Sequence, residues 1–252
     1  MESAGLPDRF GAAVARLPGQ FRKRYDAVMD YQRAEGIVLR RQPIMETTLI
    51  VTWFTREFGK LKTIAKGARR PKSPFAGKLD LFYQAELVFL PSRRSDLHLL
   101  HECFLEDARA RLRESVARLT AASYACELVE LITPAEQPQP DLAGLLAGAL
   151  DGLGRATDDR VLLLWLELRL LTAAGWKPDW PATSGIGRVL HSLLTADVAR
   201  AGRVRLSETH VAEARGLVWE FWNEQVGQAP RSRRFLGRES TTKALTSPVE
   251  PV

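Results

Sequence analysis

The hydrophobic periodicity of this chain changes once, near residue 106, and this change limits the possible folds more than any other feature. Between residues 35 and 105, apolar and polar residues alternate with a period of two, which is typical of half-buried strands. After residue 106 the apolar residues recur with the 3.6-residue period of a helix. The sequence therefore predicts an α+β protein in which a strand-rich part precedes a helical part.

The strand-rich part is predicted to hold five strands, one starting at residue 35 and the others at 47–55, 60–66, 81–90 and 96–105. The expected inward faces are Leu49, Val51 and Trp53 in the second strand, Leu61, Thr63 and Ala65 in the third, and Leu97, Leu99, Cys103 and Leu105 in the fifth. Five short strands within about 75 residues are typical of a small closed barrel such as the oligonucleotide-binding fold.

The helical part is predicted to be a bundle. The apolar face of its first helix is expected to carry Leu112, Val116, Leu119, Ala122, Cys126 and Val129. Asp141 is expected to cap the second helix, and Thr157 or Asp158 the third, at 159–174, which is apolar almost all round and so central. Two more helices are expected at 188–200 and 208–225.

These patterns predict four segments along the chain. Residues 1–29 are expected to be a flexible N-terminal extension, 30–106 the barrel domain, 107–238 the helical domain and 239–252 a flexible tail.

The positive charge of the chain is concentrated in residues 58–79, FGKLKTIAKGARRPKSPFAGKL. Between residues 60 and 78 this segment has no acid and seven basic residues: Lys60, Lys62, Lys66, Arg69, Arg70, Lys72 and Lys78. The formal net charge is +6; without these seven, 29 basic residues remain against 30 acidic ones, a charge of −1. Such concentration favours a polyanionic ligand such as nucleic acid. The alternative is a solvated face whose charge serves solubility.

Further side chains could extend such a surface. Arginines cluster at residues 109–118 and again at 231–234. Several aromatic residues near the basic segment could stack on bases if they are exposed, although each also fits a place in the core: Trp53, Phe54, Phe58, Phe75 and Phe82.

The sequence carries no credible catalytic, cofactor or metal motif. It lacks a phosphate-binding P-loop, a complete dinucleotide fingerprint and a nucleophile elbow. His98 and His101 are three positions apart in a predicted strand, so they point to opposite faces and are poorly placed to chelate one ion. The two cysteines, 23 positions apart, exclude a disulfide framework or a four-cysteine zinc site. With no bilayer-length apolar run, we expect a cytoplasmic protein that is not an enzyme.

Residues 35–82, EGIVLRRQPIMETTLIVTWFTREFGKLKTIAKGARRPKSPFAGKLDLF, resemble the N-terminal domain of the RecO family of DNA repair proteins. The shared features are the EGIVL start, the T-x-E-F-G-K turn and the K-G-A-R-R-x-x-S-x-F-x-G segment. The resemblance extends to about residue 105 and is looser in the helices, although RSRRFL at 231–236 is similar to the closing segment of the family.

The resemblance implies an oligonucleotide-binding barrel followed by a helical bundle, in a nucleoid-associated recombination mediator. Such proteins bind single- and double-stranded DNA and anneal complementary strands without nucleotide hydrolysis. They act with RecR to load RecA on DNA coated with single-strand-binding protein, whose C-terminal tail they contact. By resemblance, DNA contact is assigned to Lys60, Lys62, Lys66, Arg69, Arg70 and Lys72, with Arg40, Arg41 and Lys78 as further candidates.

The chain departs from the family pattern after the central helix, where many members carry a four-cysteine zinc module. Here the corresponding stretch, GWKPDWPATSGIG, has no cysteine, so we expect the module to be absent.

Two other functions stay open. A nuclease would need clustered carboxylates, which the basic segment lacks, and a protein-interaction module of a repair complex would have little DNA binding of its own. A membrane-surface protein would need a basic amphipathic helix.

Overall fold

The N-terminal part of the chain is a closed barrel of five strands. The computed structural model describes residues 30–156, 158–181 and 183–236, and its strands are Gln32–Pro43 (β1), Leu49–Thr55 (β2), Gly59–Ala65 (β3), Gln84–Leu90 (β4) and Leu97–Asp107 (β5). Their order is β1-β2-β3-β5-β4, and β4 pairs with β1 to close the barrel. All pairings are antiparallel except that of β3 with β5. The predicted five-stranded barrel, followed by helices, is confirmed.

The alternating pattern of β2 and β3 places the predicted residues inside the barrel. The interior includes Val51, Trp53, Leu61 and Ala65 in one hydrophobic cluster. The indole Nε1 of Trp53 donates a hydrogen bond of 2.9 Å to Oγ1 of Thr63, so the polar atoms of this buried pair satisfy each other.

The predicted inward face of β5 is right for Cys103 and wrong for Leu97, Leu99 and the exposed Leu105. Leu100 and Cys103 lie in the barrel core, whereas Leu97 and Leu99 are only half buried. The cause is a register shift against β4: Val88 pairs with Glu102, and the next residue of β4 pairs with Leu100. One extra residue in a strand reverses which side chains face inward on either side of it.

In the described part of the chain, six helices follow the barrel: Val116–Ile132 (α1), Pro140–Leu153 (α2), Asp159–Ala173 (α3), Gly185–Thr195 (α4), Val198–Ala201 (α5) and Glu208–Val226 (α6). Short 3₁₀ turns precede α1 at Ala110–Glu114 and follow α6 at Arg231–Phe235. Ten residues of α3 are buried, and this helix packs against α1, α2, α4, α5 and α6. The prediction that it is central is confirmed.

Two predicted helices start or end elsewhere for local reasons. Ser115 is extended and its side chain accepts a hydrogen bond from the amide of Ala117, so α1 begins at Val116 and Leu112 lies before it. Val116, expected on the apolar face, is 71% exposed. The helix predicted at 188–200 is broken because Ala196 is extended and Asp197 caps a new helix by accepting from the amide of Arg200.

The predicted helix caps are confirmed in part. Gln139, not Asp141, precedes α2, because Pro140 occupies the first helical position, where its missing N–H costs nothing. Asp158 caps α3 by accepting from the amide of Arg160, while Thr157 lies outside the described residues.

The connection from α3 to α4 occupies the place of the zinc module. It is short and irregular, and the ring of Trp180 packs edge-on against Phe221 of α6 with centroids 5.8 Å apart. The two cysteines are both buried and free, Cys103 in the barrel and Cys126 in α1. The predictions for residues 1–29 and 239–252 lie outside the described residues, and no helix within the described ranges is long and apolar enough to cross a membrane.

The barrel and the helices share an interface that combines apolar packing with a buried arginine. Ile37, Leu39 and Phe54 on the outer face of β1 and β2 belong to the same hydrophobic cluster as the helices. Arg109, which is 6% exposed, joins the two parts. Its guanidinium is therefore not available to extend a basic surface.

Arg109 makes three hydrogen bonds across the interface. Its guanidinium donates to the carbonyl of Phe82 at 2.8 Å, to Oε1 of Gln84 at 2.7 Å and to Oδ1 of Asp151 at 2.9 Å. The first two acceptors belong to the barrel and the third to α2, so this side chain ties the entry of β4 to the helical part.

The helical part also buries a carboxyl group. The hydroxyl of Tyr124 in α1 donates to Oε1 of Glu167 in α3 at 2.6 Å. Burial raises the pKa of Glu167, and the Tyr124 hydrogen bond and the charges of Arg215 and Arg233 only partly offset this effect.

Candidate nucleic-acid interface

The connection between β3 and β4 is a chain of turns that presents most of the basic segment. Successive backbone hydrogen bonds join the amide of Arg70 to the carbonyl of Gly67, Ser73 to Arg70, Ala76 to Ser73 and Lys78 to Phe75. Phe75 and Leu79 are buried in the barrel core and anchor the connection. The loop is therefore tied to the barrel although most of its charged side chains are in solvent.

Four cations of this connection are exposed, and we call them the basic loop: Lys66, Arg69, Arg70 and Lys72. Within residues 30–156, 158–181 and 183–236, no carboxylate forms an ion pair with any of the four. Exposed, uncompensated cations that are adjacent on one loop create the positive potential that a phosphate backbone requires.

The basic loop lies against the turn between β1 and β2. The amide of Arg69 donates to the carbonyl of Thr47 at 3.0 Å, and its guanidinium reaches the carbonyl of Met45 at 3.5 Å. The barrel therefore presents the two loops as one surface.

Lys60 and Lys62 lie on the outer face of β3 but are engaged by other residues. Nζ of Lys62 pairs with Asp96 at 2.8 Å. Nζ of Lys60 donates to the carbonyl of Glu130, in the last turn of α1, at 2.6 Å. Burial lowers the pKa of Lys60, and this effect outweighs the opposing charge of Glu130.

The backbone of Lys60 also belongs to the domain junction. Its carbonyl accepts from the amide of Glu136 at 2.8 Å, so the connection between α1 and α2 pairs with the start of β3. Gly59 makes room for this contact: it has a φ of +67°, and a Cβ there would lie 1.9 Å from the carbonyl oxygen of Gln137. Lys60 thus connects the barrel to the helices.

The remaining candidates, Arg40, Arg41 and Lys78, are also partly engaged. Arg40 is 3.7 Å from Glu130, and Arg41 is 3.2 Å from Asp80. Nζ of Lys78 lies 5.9 Å from the ring centre of Phe104. The nine candidates therefore fall into two groups. The four exposed cations of the basic loop form no ion pair within the described residues, although Arg69 contacts the carbonyl of Met45. The other five contact a carboxylate, a backbone carbonyl or an aromatic ring.

Four of those five line a cleft of about 860 Å³ between the barrel and the helices: Arg40, Arg41, Lys60 and Lys62. Arg231, from the turn after α6, lines the opposite wall. The cleft also contains four acids, Asp96, Glu127, Glu130 and Glu136. Positive and negative charges nearly balance here, so the uncompensated charge belongs to the basic loop.

The aromatic residues near the basic segment are not positioned to stack on bases. Trp53, Phe54, Phe75 and Phe82 are all buried, and Phe58 packs edge-on against Phe89. Instead, the turn between β1 and β2 exposes two aliphatic residues, Ile44 and Met45. The sequence gives no sign of this exposure except Pro43, which ends the alternation of β1.

The two histidines and the acids do not form a metal site. His98 accepts a hydrogen bond from the amide of Ser92 and contacts Glu136, while the ring of His101 stacks on Tyr31. Across the described ranges, no three His, Cys, Asp or Glu residues are grouped so that they could hold a metal ion.

Comparison with known families matches both parts of the chain. The family description "Recombination protein O N terminal" matches residues 29–109, which contain the barrel. The description "Recombination protein O C terminal" matches residues 113–189, which contain α1, α2 and α3. The chain belongs to the RecO family. The basic loop and the β1–β2 turn both lie within the N-terminal match.

Relatives named DNA repair protein RecO match most of this family member or somewhat more than half of it. The protein from Halalkalibacterium halodurans is 26% identical over 241 residues, which cover 82% of this chain and 94% of that protein. The Bacillus subtilis protein is 26% identical over 248 residues, 84% and 96% of the two chains. The protein from a Cyanothece species is 37% identical over 149 residues, 58% of this chain and 50% of that protein.

Proposed function

We propose that this RecO family member is a DNA repair and recombination mediator that binds single- and double-stranded DNA through the basic loop and anneals complementary strands. The observation that carries the proposal is the group of four exposed cations, without ion pairs in the described part of the chain, on a loop of an oligonucleotide-binding barrel. The relatives named DNA repair protein RecO support the same assignment.

The proposed mechanism is electrostatic. Each cation that neutralises a phosphate releases a counterion, so four contacts give a slope of roughly −3 to −4 in log affinity against log salt. Because these contacts are to phosphates, binding depends little on sequence. Two strands held on one cationic surface repel each other less and meet more often, which accelerates annealing without covalent chemistry.

As a mediator, the protein would act with RecR to load RecA on DNA coated with single-strand-binding protein and would contact the C-terminal tail of that protein. No nucleotide hydrolysis is needed in this scheme, and the protein would not be an enzyme. Because the protein would act on DNA, we expect it in the cytoplasm, at the nucleoid.

Charge reversal tests the proposal. We expect Arg69→Glu/Arg70→Glu to weaken binding of single strands and duplexes by at least about tenfold at low salt, equally for all sequences. The measurement is fluorescence anisotropy of labelled oligonucleotides across a salt series. The same variant should slow annealing of complementary strands coated with single-strand-binding protein.

Arg93 and Arg94 offer a matched control pair, since both are exposed on the loop between β4 and β5. β3 and β5 run parallel with Lys62 opposite Leu97, so this loop lies at the end of β3 away from Lys66, more than about 13 Å from it along the strand. Arg93→Glu/Arg94→Glu should lose much less affinity. Unchanged affinity in Arg69→Glu/Arg70→Glu would contradict the proposed site.

The second candidate is a protein-interaction module in which the helical part binds a partner. The observation in its favour is the neutral, cleft-like junction, where most basic residues already have acidic or carbonyl partners. Absence of DNA affinity at low salt, together with retained RecR binding, would favour this function instead.

A further inference from the structure

The turn between β1 and β2 exposes an unusual pair of adjacent apolar side chains. Ile44 is 39% exposed and Met45 is 67% exposed. Among the described residues, the other large apolar side chains with comparable exposure, Leu105, Val116 and Phe235, are separated along the chain. Exposure of two adjacent apolar residues at one turn keeps apolar area in water, which costs free energy unless a ligand covers it.

Hydrogen bonds tie this turn to the barrel and to the basic loop. The amide of Ile44 donates to the carbonyl of Thr48 at 3.2 Å, which closes the turn, and Thr48 and Leu49 are buried. On its other side the turn accepts two hydrogen bonds from Arg69, through the carbonyls of Met45 and Thr47. The exposed side chains are therefore presented by a hydrogen-bonded turn that lies beside the basic loop.

The charges next to the turn are mainly positive. The turn contributes one exposed acid, Glu46, whereas the basic loop beside it contributes four exposed cations. An apolar contact directly beside a cationic one matches a ligand that has an apolar face and a phosphate within a few ångströms of each other. A nucleotide whose base is unstacked has this character, because its base presents a flat apolar face beside the phosphate.

We propose that Ile44 and Met45 pack against the exposed bases of single-stranded DNA whose phosphates lie on the basic loop, and so make the protein prefer single strands to duplexes. This inference rests on the proposed function. In a duplex the base faces are stacked inside the helix, and only the phosphate contacts remain unless a step is opened. The cations thus supply affinity for both forms, and the two aliphatic side chains discriminate between them.

The test uses the full-length protein and three labelled probes of one length: a single strand, the same strand with abasic sites in place of its bases, and a duplex. We expect the wild-type protein to bind the single strand more tightly than the abasic strand. Ile44→Ser/Met45→Ser should lose about fivefold in affinity for the single strand, which corresponds to about 40 Å² of apolar surface covered by the bases. Its affinity for the abasic strand and for the duplex should stay unchanged.

Val116→Ser is the matched control, since Val116 is 71% exposed but lies at the start of α1. It should leave all three affinities unchanged. Equal losses for all three probes in the double variant, or no loss for the single strand, would overturn the inference while leaving the role of the basic loop intact. If the wild-type protein bound none of the probes at low salt, the proposed function and the inference would both be overturned.

Discussion

Removal of the Arg109 side chain should strongly destabilise the protein, because its three hydrogen bonds join the barrel to the helices. Each hydrogen bond to a charged group contributes about 1.5–3 kcal/mol, and the cost of burying the guanidinium offsets part of the sum. Arg109→Ala also leaves the buried carbonyl of Phe82 without this donor. We therefore expect a loss of about 3–5 kcal/mol in the free energy of unfolding.

For a chain of this size, that loss lowers the unfolding midpoint by about 6–20 °C. The measurement is thermal unfolding followed by circular dichroism, together with urea unfolding. Arg109→Lys keeps the charge but not the planar fork that serves three acceptors, so it should fall between Arg109→Ala and the wild type.

Arg111 provides the control, because it is exposed on the same 3₁₀ turn. Arg111→Ala should change the free energy of unfolding by no more than about 0.5 kcal/mol. An Arg109→Ala midpoint within about 2 °C of the wild type would refute the reasoning. It would mean that the desolvation cost of the guanidinium cancels its three hydrogen bonds.

Two further predictions concern the buried carboxyl group and the domain junction. Because the pKa of Glu167 is higher in the folded than in the unfolded state, its contribution to stability is full at low pH and is lost as pH rises above the unfolded value. Glu167→Gln, which keeps an acceptor for Tyr124, should therefore have a higher free energy of unfolding in urea than the wild type at pH 8. The difference should close near pH 4, and a difference independent of pH would contradict this. Gly59→Ala should lower the unfolding midpoint more than Gly77→Ala. Both glycines have positive φ, but only a Cβ at residue 59 would meet a backbone atom, the carbonyl oxygen of Gln137. Equal losses in the two variants would contradict this.

The barrel was predictable because its signal is local. Alternation places Val51, Trp53 and Leu61 inward, and the turn glycines and prolines separate the strands. Where a prediction was wrong, a single residue displaced the pattern. The register shift in β5 separates Leu99 from Cys103, and the cap at Asp197 divides one expected helix into two.

The candidate site was predictable as a segment but not residue by residue. The charge count locates the excess positive charge, and the turns of the loop keep Lys66, Arg69, Arg70 and Lys72 exposed. Nothing in the local pattern distinguishes these four from Lys60, which has the same periodicity as Lys62 and Lys66. The local pattern likewise does not show that Ile44 and Met45, at the β1–β2 turn, are exposed.

Residue order alone is enough to specify the α+β architecture, the inward faces of β2 and β3 and the location of the excess charge, since each depends on neighbours a few positions away. Which cations are free depends on residues brought close only by folding. Lys60 meets Glu130, 70 positions later, and Lys62 meets Asp96, 34 positions later. Electrostatic energy depends on distance in space and on the surrounding dielectric, not on separation along the chain, so folding decided which part of one basic segment faces solvent and which part joins the two domains.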